Sequence, residues 1–229
     1  MRRILAMVLC LSLLGVPVAR GAEPQYVALT FDDGPSGRFT RRLLDGLAER
    51  GVQATFLLCG YRLEEYGALA QRIYAEGHEI GLHGYSHKDM GKMTCGEIQA
   101  ELRATLALLP EGCHPAFLRP PGGSVSPAVA EAARAQGLGI LNWSVDPRDW
   151  ATHDPASVET AVLKQVRDGD VILLHDMGDS SVEAALYIVD RLLEQGFCLV
   201  TASRLATLRG VEIEPGASYF RFPCQAAGA

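Results

Sequence analysis

Two adjacent carboxylates and a pair of histidines carry the first chemical signal in this chain. Asp32 and Asp33 lie in Thr30-Phe31-Asp32-Asp33-Gly34-Pro35, and the histidines lie in His83-Gly84-Tyr85-Ser86-His87. Neighbouring ionised acids repel, and the usual remedies are a bound cation or a raised pKa on one of them. Two imidazoles four residues apart fall on one side of a helical turn and can share a metal ion. Each motif also has an ordinary explanation: an Asp-Gly turn with two solvated carboxylates, or a chance spacing of histidines. Together they form a candidate His-His-Asp site with open positions, suited to zinc or a similar divalent ion. The second carboxylate is then free to take a proton from water.

Other residues supply the remaining roles of a hydrolysis. Arg119 precedes Pro120-Pro121, which stiffens the chain, and a fixed guanidinium can orient a carboxylate. Gly122 and Gly123 leave backbone N–H groups open to an oxyanion. His175 can protonate a leaving group, with Asp149 holding its other nitrogen and raising its pKa. Singly, Arg119 reads as a surface ion pair, Asp149 as a turn residue and His175 as a structural histidine. As a set they fill every role that metal-assisted hydrolysis needs.

The elements that must position these residues follow from the apolar patterning. Residues 26–31, 53–58, 78–82, 116–118, 138–145, 171–174 and 197–201 read as strands. Residues 39–50, 64–76, 94–109, 126–136, 155–167 and 182–195 read as helices, with a Thr94/Glu97 capping box and Asp154 capping a helix that starts at Pro155. Strand and helix alternate with short connections, which predicts a single α/β domain dominated by parallel pairing. Polar residues follow five separate strands: Asp32 and Asp33, His83 and His87, Arg119, Asp149 and Trp150, and His175. A closed or nearly closed β/α barrel brings all five to one face. An open doubly wound sheet, the alternative, gathers only the loops near its switch point.

Composition bounds the rest. The 229 residues are 48% hydrophobic and 21% charged, enough for one substantial core. Residues 1–21 read as a signal for export from a bacterium: Arg2 and Arg3, an apolar run from Ile4 to Val18, then the small residues Ala19 and Gly21 before cleavage. The run is shorter than the about 20 residues of a spanning helix, and Leu9 is too large for lipid attachment at Cys10. Removing the signal deletes three arginines and no acid, taking the formal charge from −6 to −9. A chain that acidic has no general attraction for nucleic acid or anionic membrane. Residues 22–210 then form the catalytic domain, and 211–229 a C-terminal tail with an aromatic cluster of Tyr219, Phe220 and Phe222. Cys59, Cys95, Cys113, Cys198 and Cys224 remain, an odd number without C-x-x-C spacing, and their pairing stays open. Cys95 and Cys113 flank a predicted helix about 22 Å long, too far for four further residues to fold back easily.

The ordered set Thr30-Phe31-Asp32-Asp33-Gly34-Pro35, His83-x3-His87, Arg119-x-Pro121, Asp146-x2-Asp149-Trp150 and Leu173-x-His175 resembles the five motifs of the polysaccharide deacetylase family, the NodB-homology domain of carbohydrate esterase family 4. The resemblance spans about residues 26–205. It implies a distorted (β/α)7 barrel and metal-dependent removal of N-acetyl groups from a glycan, with release of acetate. It makes Asp32 the general base, Asp33, His83 and His87 the ligands of one divalent ion (zinc, or cobalt), and Arg119 the group that orients Asp32. Gly122 N–H would serve the oxyanion, His175 would be the general acid tuned by Asp149, and Trp150 and Leu173 would line the groove for the acetyl methyl.

This sequence departs from the family's pattern twice. Gly84 stands where a Ser or Thr hydroxyl usually braces the histidine loop, leaving that loop looser or braced by Ser86. Gly122 stands where an aromatic residue is common, which widens the groove. The expected protein is an exported monomer acting on N-acetylglucosamine polymers, peptidoglycan ahead of chitin oligomers. An O-acetyl esterase for xylan or wall glycans uses the same machinery, and a glycan-binding barrel without turnover is the non-enzymatic alternative.

Overall fold

In β1, Gln25–Asp32, Val27, Ala28, Leu29, Thr30 and Phe31 are all without solvent contact. A strand buried on both faces belongs in the middle of a parallel sheet covered by helices, and β1 occupies that place. The computed structural model describes residues 23–224. The expected export signal, residues 1–21, and the last residues of the tail lie outside them.

β1 is followed by α1 (Gly37–Glu49), β2 (Thr55–Leu58), α2 (Gly60–Ala75), β3 (Glu79–Leu82), α3 (Cys95–Leu106), β4 (Phe117–Leu118), α4 (Pro127–Ala135) and β5 (Gly139–Leu141). Then come α5 (Pro155–Leu163), β6 (Val171–His175), α6 (Asp179–Glu194), β7 (Phe197–Leu199), α7 (Ala202–Leu208) and β8 (Ser218–Tyr219). The strands run in the order β6-β1-β2-β3-β4-β5-β8, with β7 added to the start of β1, and every pairing is parallel. Between β5 and β6 there is only one parallel bridge, Val145 to Ile172. Seven principal strands therefore curl into a distorted half-barrel flanked by seven helices, as expected, and the open-sheet alternative is set aside.

Helices dock through their apolar stripes. Leu43, Leu44 and Leu47 of α1 and Ile188, Val189 and Leu192 of α6 are buried against the same side of the sheet. The Thr94/Glu97 capping box forms as expected, and Asp154 accepts the N–H of Ala156 ahead of Pro155. Some boundaries move. β5 ends at Leu141 rather than 145, because the Leu141 and Asn142 carbonyls turn to the Arg119 side chain. Helices α2 and α6 begin earlier than the apolar spacing indicates, at Gly60 and Asp179.

Residues past Val211 return to the barrel. Tyr219 stacks on Phe222 with ring centroids 5.5 Å apart, and both meet Phe117 of β4. Gly169, at φ 84, lets the chain pass so close that a Cβ there would collide with the Phe222 carbonyl. Among the described residues, Cys59, Cys95, Cys113, Cys198 and Cys224 form no disulfide. Among the described residues no helix is long and apolar enough to cross a membrane.

Phe222 is 1% exposed, so Phe222→Ala should lower unfolding free energy by about 3–5 kcal/mol in urea denaturation. A loss below about 1 kcal/mol would mean that this segment is not part of the cooperative core.

Candidate active site and metal centre

Strand register brings the polar residues to one level. Asp32 at the end of β1 lies opposite His175 at the end of β6. Leu82 pairs with Leu118, so His83 and Arg119 leave β3 and β4 side by side. Each side chain then points from a strand end into the same mouth, where barrel folds assemble their sites.

Arg119 is completely buried. Its Nε donates to the Leu141 carbonyl at 2.7 Å, Nη2 to the Asn142 carbonyl at 3.0 Å, and Nη1 to Thr30 Oγ1 at 2.8 Å and Asp32 Oδ1 at 2.6 Å. Burial pulls the guanidinium below its ordinary pKa while Asp32 pushes it back up. An arginine remains charged in either case. Asp32 is thus gripped through one oxygen, while the other, Oδ2, lies 3.7 Å from His83 Nε2.

Asp33 sits in the left-handed region at φ 73, which a short polar side chain tolerates better than most. The two carboxylates part there. Asp33 Oδ1 lies 3.0 Å from His87 Nε2 and 3.3 Å from His83 Nε2. The histidines do not share the helical turn that their spacing suggests. They flank an irregular loop with Gly84 at φ 78 and His87 at φ 57, which still brings the rings to 5.1 Å.

His83 Nδ1 lies 2.7 Å from the Arg119 carbonyl, which can only accept. In the neutral ring that nitrogen carries the hydrogen, leaving a lone pair on Nε2. Among the described residues, the buried Asp33 Oδ1 has no hydrogen-bond donor aligned with it, despite the two nearby imidazole nitrogens. Burial raises the Asp33 carboxyl, but the two imidazoles outweigh it and hold the group below the usual carboxylate range. Conversely, Asp33 raises the pKa of His87 against the opposing effect of burial. Among the described residues, Asp33, His83 and His87 form the group whose ligand atoms all lie within 4.8 Å of one another. One carboxylate and two imidazoles converging in this way fit a divalent cation.

Across the cleft, His175 Nδ1 meets Asp149 Oδ1 at 2.9 Å, and the His175 N–H donates to Asp149 Oδ2 at 2.8 Å. Burial lowers the imidazole pKa, but Asp149, with the more distant Asp32 and Asp33, raises it to about 9. The shared cleft, about 430 Å³, is lined by Asp32, Asp33, His83, His87, Gly122, Trp150, Leu173 and His175, so the expected residues come together there. Arg119 and Asp149 stand behind them and reach the cleft through Asp32 and His175.

The cleft also holds Trp143 and Asp146, to which the motifs assign no role. Trp143 covers Arg119, its ring centroid 5.6 Å from the guanidinium carbon. The tryptophan's place at the close of a strand, two residues from the buried Leu141, was the available signal. Asp176 is also unforeseen: burial pushes its pKa up to about 6, and it packs so tightly under Gly34 that a Cβ there would lie 2.6 Å from its Oδ1.

The profile of the family described as Polysaccharide deacetylase matches residues 19–141. A peptidoglycan-N-acetylglucosamine deacetylase of Bacillus cereus is 34% identical over 187 residues, covering 79% of this chain and 88% of that protein. The peptidoglycan-N-acetylmuramic acid deacetylase PdaC of Bacillus subtilis is 31% identical over 200 residues, 86% of this chain but 42% of that protein. This chain therefore spans under half the length of that relative. A family 4 acetyl xylan esterase from Clostridium thermocellum, solved with a cobalt ion, superposes with a TM-score of 0.80 at 35% identity, covering 87% of this chain and all of that one. Profile, relatives, fold and the Asp-His-His centre agree: the chain belongs to the polysaccharide deacetylase family, carbohydrate esterase family 4.

Proposed function

We propose that this protein is an exported, metal-dependent N-deacetylase of N-acetylglucosamine-containing glycan, with peptidoglycan as its first substrate and zinc as its ion. The observation that carries the reading is the division of the two neighbouring acids. Asp32 faces Arg119, Asp33 faces two imidazoles, and the His175–Asp149 pair stands across the same cleft.

Asp33, His83 and His87 would hold the ion, whose Lewis acidity polarises the acetyl carbonyl and lowers the pKa of water. Asp32, oriented by Arg119, takes the proton from the attacking water on its free oxygen, Oδ2. The water oxygen adds to the carbonyl carbon, and the Gly122 N–H supports the oxyanion. Gly123 N–H is already spent on the Pro120 carbonyl, which leaves Gly122 as the donor in that loop. His175, kept protonated by Asp149, gives its proton to the amine as the C–N bond breaks, releasing acetate. Trp150, 56% exposed, and Leu173, 4% exposed, offer an apolar groove for the methyl group.

Peptidoglycan is favoured because the Bacillus relatives carry that activity in their names, and the apolar leader of residues 1–21 would deliver the enzyme to the wall. O-acetyl removal from xylan is the second reading, supported by the likeness to the acetyl xylan esterase.

Acetate release from peptidoglycan, N-acetylglucosamine oligomers and acetylated xylan should separate these readings. Treatment with a chelator should abolish release, and added zinc or cobalt should restore it. Release that survives complete metal removal would defeat the metal-dependent mechanism. Asp32→Asn should retain the metal yet lose about 10²–10⁴-fold in kcat. Because His175 acts as the protonated partner, activity should hold below its raised pKa of about 9 and fall as pH rises through it. Asp149→Asn removes the charge that raises this pKa, so the alkaline limb of the kcat/KM profile should move to lower pH. An unmoved limb would remove His175 from the role of general acid.

A further inference from the structure

The loop between His83 and His87 has no strand or helix ladder of its own, so its peptide groups need partners elsewhere. On one side, the N–H groups of Gly60 and Tyr61, where α2 begins, donate to the carbonyls of Gly84 at 2.9 Å and Tyr85 at 3.0 Å. On the other side stands Glu101, in the middle of α3. Its Oε2 accepts the N–H of Tyr85 at 2.8 Å and of Ser86 at 2.6 Å, and its Oε1 accepts the Ser86 hydroxyl at 2.9 Å. Among the described residues, every hydrogen bond of this carboxylate goes to the two residues just ahead of His87. Bonds to an ionised acceptor are short and strong, and these three lock the peptide planes from which His87 projects.

We propose that Glu101 is a positioning residue of the metal centre, aiming His87 at Asp33. The two histidines are held very differently. His83 is 2% exposed and fixed through its Nδ1 to the Arg119 carbonyl. The His87 side chain is 43% exposed, and its close polar neighbour is Asp33 itself. Its backbone, at φ 57, lies in a sparsely populated region that persists only where surrounding contacts over-determine it. Glu101 supplies those contacts. Position 84 cannot do so: at φ 78 it disfavours any side chain, and a Cβ there would lie 2.7 Å from Met90 Cε. The brace that a hydroxyl beside His83 could give comes instead from a neighbouring helix.

The proposal rests on reading Asp33, His83 and His87 as the metal site, and its test is metal binding rather than turnover. The full chain, stripped of metal, is titrated with Co²⁺ while the visible spectrum is followed, for the parent protein, Glu101→Ala, Glu101→Gln, Glu101→Asp and Asp33→Asn. Glu101→Ala should weaken cobalt binding about 10-fold or more and alter the spectrum. Glu101→Gln should bind nearly as the parent does, because its amide oxygen can still accept both N–H groups and its NH2 can donate to the Ser86 hydroxyl. A folded Glu101→Ala with parent affinity and spectrum overturns the proposal. If Glu101→Ala does not fold, the comparison of Glu101→Asp with Glu101→Gln decides. The shorter acid cannot reach all three donors and should bind cobalt more weakly, and equal affinities overturn the proposal. Parent affinity in Asp33→Asn would instead remove the metal reading itself, an outcome distinct from failure at Glu101.

Discussion

A fully buried guanidinium is the constraint around which this site is built. Removing a charge from water costs several kcal/mol unless its hydrogen-bonding groups are met, and Arg119 is met by four acceptors drawn from β1 and the end of β5. Those bonds reach well beyond Arg119. They take the carbonyls that would have extended β5, they fix one oxygen of Asp32, and Thr30 relays the arrangement to the Ile172 carbonyl of β6. The Arg119 carbonyl meanwhile sets the tautomer of His83. One residue thus settles the orientation of both Asp32 and His83, and the carboxylate and the imidazole share a common reference.

The same residue explains why two adjacent aspartates can do different work. Coulombic repulsion between them is relieved by giving each its own counter-charge in a different direction, and the left-handed backbone at Asp33 makes that divergence possible. His175 completes the electrostatic plan from the opposite side, where Asp149 both orients the ring and stabilises its charged form.

Much of this could be read from the chain. The buried central strand announced itself by an apolar run broken at Asp32-Asp33-Gly34-Pro35, and strand-end polarity pointed to a barrel because register and pleat deliver such residues to one face. What resisted reading was local geometry set by distant partners. The spacing of His83 and His87 suggested a helical turn, yet Gly84 and Glu101 shape a loop instead. Glu101 itself looks like any solvated helix acid, since its partners lie 15 and 16 residues away and are mostly backbone groups. β8 was invisible for a simpler reason: two residues are too few to show a period of two. The bonds of Arg119 to the Leu141 and Asn142 carbonyls have no sequence signature at all.

The way the chain end closes the sheet also bears on how the protein folds. β1 forms early in the chain, yet two of its neighbours, β6 and β7, and the outer partner of β5 come from the last third. Contacts of such long sequence separation must overcome loop-closure entropy before they contribute, which slows folding. Until Ser218 and Tyr219 are available, β5 is an open edge, and Phe117, which packs against Tyr219 and Phe222, lacks its cover. Any partly folded form that lacks residues 218–222 leaves that flank of the sheet open to pairing with another molecule. In the folded protein, Ser218 and Tyr219 cover that strand edge and remove it as a template for pairing with another molecule.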